Sequence, residues 1–225
     1  MGECLLCYNA DMKSLRKEML RKLFHLMEVP LLVGYTLVRN YFNERLATLL
    51  ITAVFLVLLE VEYVRLEFHP KLPKSFNVFR NRERNNVTGS IFFIAATIIV
   101  FAAFDYPIAV TAMLLTIFGD LAAALVGIKF GRTILYKSKT LEGLLAGFAM
   151  NCLVGYLFLP AYPLIFLAMA FVASIVELLT GKLDDNLTVP LFAAFTGQVL
   201  VYFMHAPLTT FPGPVVGSIL GLFVR

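Results

Sequence analysis

Apolar residues fall along this chain in long blocks separated by short or polar connections, a pattern that predicts helices in lipid. Eight blocks are read, at 23–38, 46–63, 90–104, 107–126, 141–159, 163–179, 189–205 and 207–223. Several are shorter than the roughly 20 residues that a helix needs to cross the hydrocarbon. The last contains Pro212, Gly213 and Pro214, which predicts a broken or re-entrant segment packed within protein. The fold class expected is therefore all-α and polytopic, with about eight membrane segments. A basic segment, 1–22, precedes a single membrane-embedded domain, 23–225.

Composition agrees with this pattern. Hydrophobic residues make up 60% of the chain and charged ones 15%, against about half and a quarter in soluble domains. There is no Trp, and nine Tyr take part of the place of the usual interfacial Trp belt. The basic stretch before residue 23 superficially suits a signal peptide, but no small-residue cleavage site follows, so the segment is expected to stay. Cys4 and Cys7 form a lone CxxC without a second pair, and neither zinc nor redox chemistry is expected there.

Charge orients the layout. With the N-terminus in the cytoplasm, the cytoplasmic segments hold five Lys or Arg before Leu23, six in 64–89, four in 127–140, and also Lys182 and Arg225. Only Arg39 and Arg45 fall on the other side, a bias that favours this orientation. The external connections are short and almost free of charge. Chemistry is therefore expected at the cytoplasmic face. The basic clusters are read as topology and phosphate chemistry, and no nucleic-acid partner is expected.

Acids inside membrane segments are costly and usually functional. Glu28, Glu60, Glu62, Asp120, Glu142 and Glu177 are all expected within a few residues of the cytoplasmic boundary. Gly119-Asp120 leads through Gly127, Gly131 and Arg132 to Lys139-Thr140-Leu141-Glu142-Gly143. Glycines let backbone approach a phosphate, Lys and Arg neutralise it, carboxylates hold Mg²⁺, and a helix start at Leu141 offers free N–H donors. The alternative for Gly127-x-x-x-Gly131 and Gly143-x-x-x-Gly147 is helix packing, within the chain or across a homodimer. No Walker A sequence is present.

Asp184-Asp185-Asn186, entered from Glu177, is either an oxygen ligand set suited to Mg²⁺ or a polar turn with a helix cap. Arg21-Lys22 with His25, and Arg80, Arg82 and Arg84 before Thr88-Gly89-Ser90, are topology determinants or phosphate contacts. Together these features describe a cytoplasm-facing polar pocket for Mg²⁺ and phosphates, walled by apolar helices.

In this order the motifs resemble those of the CTP-dependent lipid kinases: dolichol and other polyprenol kinases, phytol kinases and yeast-type diacylglycerol kinases. The family is distantly similar to the CDP-diacylglycerol synthases. The resemblance rests on the run from Gly119 to Gly143 and on Asp185-Asn186-Leu187-Thr188-Val189-Pro190 preceded by Glu177. Weaker matches are Arg21-Lys22 with His25, Glu60 to Arg65, and Thr88-Gly89-Ser90.

The resemblance implies phosphoryl transfer from CTP to a lipid alcohol, with Mg²⁺ as cofactor. The acceptor would be a polyprenol or dolichol, geranylgeraniol, phytol or diacylglycerol. The implied catalytic residues are Asp120, Lys139 and Glu142, with Asp120 favoured as acceptor of the alcohol proton. Gly127, Gly131, Arg132, Lys139, Thr140, Asn186, Arg84 and His25 would contact nucleotide or phosphate, and Asp120, Asp184, Asp185 and Glu177 would surround the metal. The short chain leans toward a prokaryotic enzyme, archaeal or bacterial, in the plasma membrane. A cytidylyltransferase making a CDP-activated lipid is the nearest rival reading. A lipid transporter or flippase without chemistry is the rival of another class.

Overall fold

A computed structural model of the chain describes residues 26–67, 87–137, 139–181 and 183–208. Seven helices lie among them: α1 (Glu28–Tyr41), α2 (Glu44–Glu67), α3 (Gly89–Ala103), α4 (Tyr106–Phe130), α5 (Leu141–Phe158), α6 (Pro163–Leu179) and α7 (Asp185–Met204). A small antiparallel hairpin, β1 (Ile134–Tyr136) and β2 (Lys139–Thr140), separates α4 from α5. Seven of the eight expected segments thus correspond to helices. All but the first two residues of the eighth, 207–223, fall outside the described residues, as do His25, Arg84 and the basic segment 1–22.

The helices α2, α4, α5 and α7 are each long and apolar enough to cross a membrane. The other apolar helices, α3 and α6, have 15 and 17 residues. At about 1.5 Å per residue they reach roughly 22 and 25 Å, short of a hydrocarbon core of about 30 Å.

Local sequence explains where the helices begin and end. Pro107 and Pro163 sit in the first turns of α4 and α6, where a missing N–H costs nothing. Thr140 caps α5 by accepting the Gly143 N–H at 3.2 Å, and Asp184 caps α7 by accepting the Asn186 N–H at 3.1 Å. His205 ends α7 in the left-handed region, at φ 49°.

Three tight connections (residues 42–43, 104–105 and 159–162) make successive helices antiparallel. The starts of α1, α3, α5 and α7 therefore meet the ends of α2, α4 and α6 at one end of the bundle, which holds most of the motif residues. The central helix is α4, buried along its first half from Pro107 to Ile117. Around it pack Phe93 and Val100 of α3, Ile165 and Met169 of α6, and Val189 and Ala193 of α7. Buried hydroxyls return to their own helices: Thr97 donates to the Phe93 carbonyl, Thr111 to Pro107 and Thr116 to Ala112, as backbone without water requires. By contrast α2 is peripheral, with Leu49, Val57, Val61 and Val64 on its exposed face.

Small residues set the closest approach, between α4 and α5. Gly119, Ala123 and Gly127 face Gly143, Gly147 and Asn151, each set spaced by four residues. A Cβ added at Gly143 would stand 2.8 Å from the Ala123 carbonyl oxygen and 3.2 Å from Gly127 Cα. Close contact of this kind supplies the dispersion that joins helices in lipid, where no hydrophobic drive exists between them. The packing reading of these glycines therefore holds for Gly127 and Gly143.

Candidate functional site

The basic connection after α4 folds back on itself. Ile134 pairs with Thr140 and Tyr136 with Lys139, and Lys137 turns the chain at φ 52°. This hairpin departs from a purely helical expectation. It shortens the path from Gly131 to Leu141 and fixes Lys139 and Thr140 at the start of α5.

Glu142 fastens the fold-back. The Thr133 N–H donates to both Glu142 carboxylate oxygens, at 3.2 and 3.3 Å, and the Leu141 N–H donates to the Thr133 carbonyl at 2.8 Å. A Cβ at Gly127 would stand 3.1 Å from Thr140 Oγ1, and one at Gly131 would meet the same side chain at 2.7 Å. Thus Gly127, Gly131, Thr140 and Glu142 come together at one corner, with Arg132 exposed beside them.

Lys139 turns from this corner toward α6. Its Nζ donates to the Glu177 backbone carbonyl and stands 3.8 Å from Glu177 Oε1. The cation also faces the carbonyl-rich end of α6, where positive charge is favoured. Glu177 keeps only 12% of its side chain exposed. Lys137 reaches Gly181, so the hairpin lies over the connection between α6 and α7. Thr180 and Thr188 hydroxyls, 3.2 Å apart, close that connection.

The start of α7 joins the start of α3. A Cβ at Gly89 would stand 2.7 Å from Asn186 Nδ2 and 3.8 Å from both Asp184 carboxylate oxygens. The Thr88 N–H donates to Glu62 Oε1 at 2.7 Å. Arg65 holds the same carboxylate with two bonds, Nε to Oε2 at 2.9 Å and Nη2 to Oε1 at 2.7 Å, in a buried pair. Three stretches far apart in sequence, 62–65, 88–90 and 184–186, are therefore one contact chain.

Asp120 lies well inside its helix. Its helix continues to Phe130, ten residues further, so at about 1.5 Å per residue it lies roughly 15 Å along α4 from that end. The apolar block read from the sequence ends at Val126, four residues before the helix does. Glu28 begins α1, Glu142 is second in α5, and Glu177 is two residues from the end of α6. Glu60 is exposed on α2 while Glu62 is buried.

The donors suit Mg²⁺ in one mode only. Asp184, Asp185 and Asn186 offer hard oxygens, yet among the described residues no three His, Cys, Asp or Glu side chains group closely enough to hold a metal ion. The expected set of Asp120, Glu177, Asp184 and Asp185 is thus not gathered, partly because Lys139 engages Glu177. The arrangement fits Mg²⁺ bound by one or two carboxylates with substrate phosphates and water, and does not fit an all-protein cage.

Asn151 is the polar residue that the motifs did not single out. It is 1% exposed; Nδ2 donates to Ser174 Oγ at 3.1 Å, and Oδ1, without a hydrogen-bond partner among the described residues, lies against Gly119, beside Asp120. The signal was the four-residue spacing Gly143, Gly147, Asn151, which puts an amide on the packed stripe of α5.

The far end of the bundle is also polar. Asp105 and Gln198 exchange two hydrogen bonds of 2.9 Å, and Arg39 lies 3.4 Å from Glu44 and 3.9 Å from the Tyr106 ring centroid. A cavity of about 420 Å³ opens among Tyr35, Arg39, Glu44, Phe101 and Asp105. The few charges that the sequence leaves on these connections are thus collected together.

Fold and site together define a helical protein with membrane-length apolar helices and a polar end rich in helix N-termini, lysines and carboxylates. The chain belongs to the cytidylyltransferase family, whose model matches residues 5–213. It is similar to an uncharacterized protein of Methanocaldococcus jannaschii, 32% identical over 117 residues, 51% of this chain. That match spans 60% of the relative's length. No solved structure gives a significant match.

Proposed function

We propose that the chain transfers the γ-phosphoryl group of CTP to the hydroxyl of a membrane lipid, giving the lipid monophosphate and CDP. The observation that carries this reading is the meeting of the α3, α5 and α7 N-termini with Lys139 at one end of a bundle of membrane-length helices. N-terminal N–H groups and a lysine favour an anion, and the helices beside them favour a lipid chain. Membership of the cytidylyltransferase family supports the use of CTP. The motif resemblance supports a polyprenol, dolichol, geranylgeraniol, phytol or diacylglycerol acceptor, and the archaeal relative supports a prokaryotic membrane.

In this reading the lipid oxygen forms a bond to the γ-phosphorus as the bond to the bridging oxygen of CDP breaks. The hydroxyl proton passes to a carboxylate, for which Asp120 is our choice. Lys139, held by Glu177, meets the phosphates, and Glu142 keeps its hairpin in place. Asp184 or Asp185 would hold Mg²⁺ together with substrate phosphates, and the ion would supply charge neutralisation. Positioning and charge then account for most of the rate.

The family's name favours a second reading, transfer of CMP to a lipid phosphate with release of pyrophosphate. The released fragment, CDP or pyrophosphate, separates the two. For either reaction Asp120→Asn is expected to lose most of the turnover while the protein still inserts. Near-normal turnover would remove Asp120 from the chemistry.

A further inference from the structure

The hairpin between α4 and α5 is both apolar and exposed. Residues 129–137 are exposed throughout, and among them Phe130, Ile134, Leu135 and Tyr136 keep 57, 70, 45 and 42% of their surface. β1 consists of Ile134, Leu135 and Tyr136 alone. Neighbouring side chains of a strand point to opposite faces, so exposure of all three leaves both faces of β1 open. In water, such a strand with one short partner would invite pairing with other chains.

Depth and charge point to what covers it. α4 has 25 residues, roughly 37 Å against a hydrocarbon core of about 30 Å, so its Lys129–Phe130 end reaches the headgroup layer. The hairpin stays near that level. The Leu141 N–H bonds back to the Thr133 carbonyl, and Lys137 at the tip reaches Gly181, just beyond the end of α6. Lys129 Nζ lies 5.2 Å from the Phe130 ring centroid, and Lys137 Nζ 5.1 Å from that of Tyr136. Each base thus has an aromatic ring beside it, a combination that settles at a membrane interface with the cation toward the headgroups. No acid occurs between Leu121 and Leu141, so the hairpin carries one sign of charge and complements an anionic lipid surface.

We propose that the β1–β2 hairpin is an interfacial anchor: Phe130, Ile134, Leu135 and Tyr136 enter the headgroup layer, and Lys129 and Lys137 hold anionic lipid headgroups. The assignment needs neither CTP nor catalysis. Because β2 also carries Lys139, the anchor keeps that lysine level with the headgroups.

The chain has no Trp, so Ile134→Trp, or the conservative Tyr136→Trp, gives the full chain a single fluorophore at the hairpin. Val57→Trp, on the exposed face of α2, is the lipid-embedded reference. Each protein is placed in phosphatidylcholine nanodiscs with a minor fraction of brominated phosphatidylcholine or, at equal mole fraction, brominated phosphatidylglycerol. Both lipids are expected to quench the hairpin Trp, and aqueous iodide is not. Brominated phosphatidylglycerol should quench more, through a local enrichment of roughly two- to fivefold. Lys129→Gln with Lys137→Gln should abolish the difference between the lipids and leave quenching of the Val57→Trp protein unchanged. A hairpin Trp quenched by iodide and by neither lipid would place the strand in water and overturn the anchor. A Trp that neither iodide nor bromine reaches would overturn it too, in favour of a protein contact such as a second copy of the chain. Equal quenching by the two lipids would refute the anionic headgroup.

Discussion

Lys139 is the side chain on which nucleotide use most depends in this account. It is anchored at Glu177 while its side chain stays 30% exposed, which in this account leaves it within reach of a phosphate. Lys139→Ala is expected to raise the KM for CTP roughly tenfold with a smaller effect on kcat, as loss of one charged hydrogen bond dictates. An unchanged KM in steady-state kinetics would take Lys139 out of the site. Charged residues in apolar sequence stand out, which is why Asp120, Lys139, Glu142, Glu177 and Asp184 were legible. Their pairings were not, because Glu142 binds backbone of its own hairpin and Lys139 crosses to another helix. Asn151 was missed since a single amide in an apolar run signals nothing until its neighbours at four-residue spacing are seen.

Elements were legible where apolar runs were long. Their ends were not: α4 passes through Gly127 and Lys129 to Phe130 because packing against α5 supports it beyond its last apolar block. The hairpin had no Asn-Gly or Asp-Gly turn to announce it, and Lys137 makes the turn instead. The seam between α4 and α5 makes its own prediction. Gly143→Val is expected to wedge the helices apart, lower the melting temperature and cost about 1–3 kcal/mol, while Gly34→Val leaves stability nearly unchanged. Equal melting of the two variants in lipid would contradict the packing described for Gly143.

For the whole molecule, alternating helix direction collects α3, α5 and α7 N-termini at one end, which the Lys and Arg bias of the sequence leads us to propose as the cytoplasmic end. Single cysteines introduced by Leu183→Cys and Asn43→Cys, in a chain without native cysteines, test this with an impermeant maleimide. Position 43 should label in intact cells and position 183 only after permeabilisation; the reverse pattern would invert the orientation. The central claim, γ-phosphoryl transfer from CTP to a lipid alcohol, is tested most directly by label transfer in purified protein with Mg²⁺ and a polyprenol or diacylglycerol acceptor. Lipid labelled from γ-labelled CTP and not from α-labelled CTP is the predicted result. Lipid labelled from α-labelled CTP alone, with a lipid phosphate as acceptor, would contradict the kinase and establish cytidylyl transfer instead.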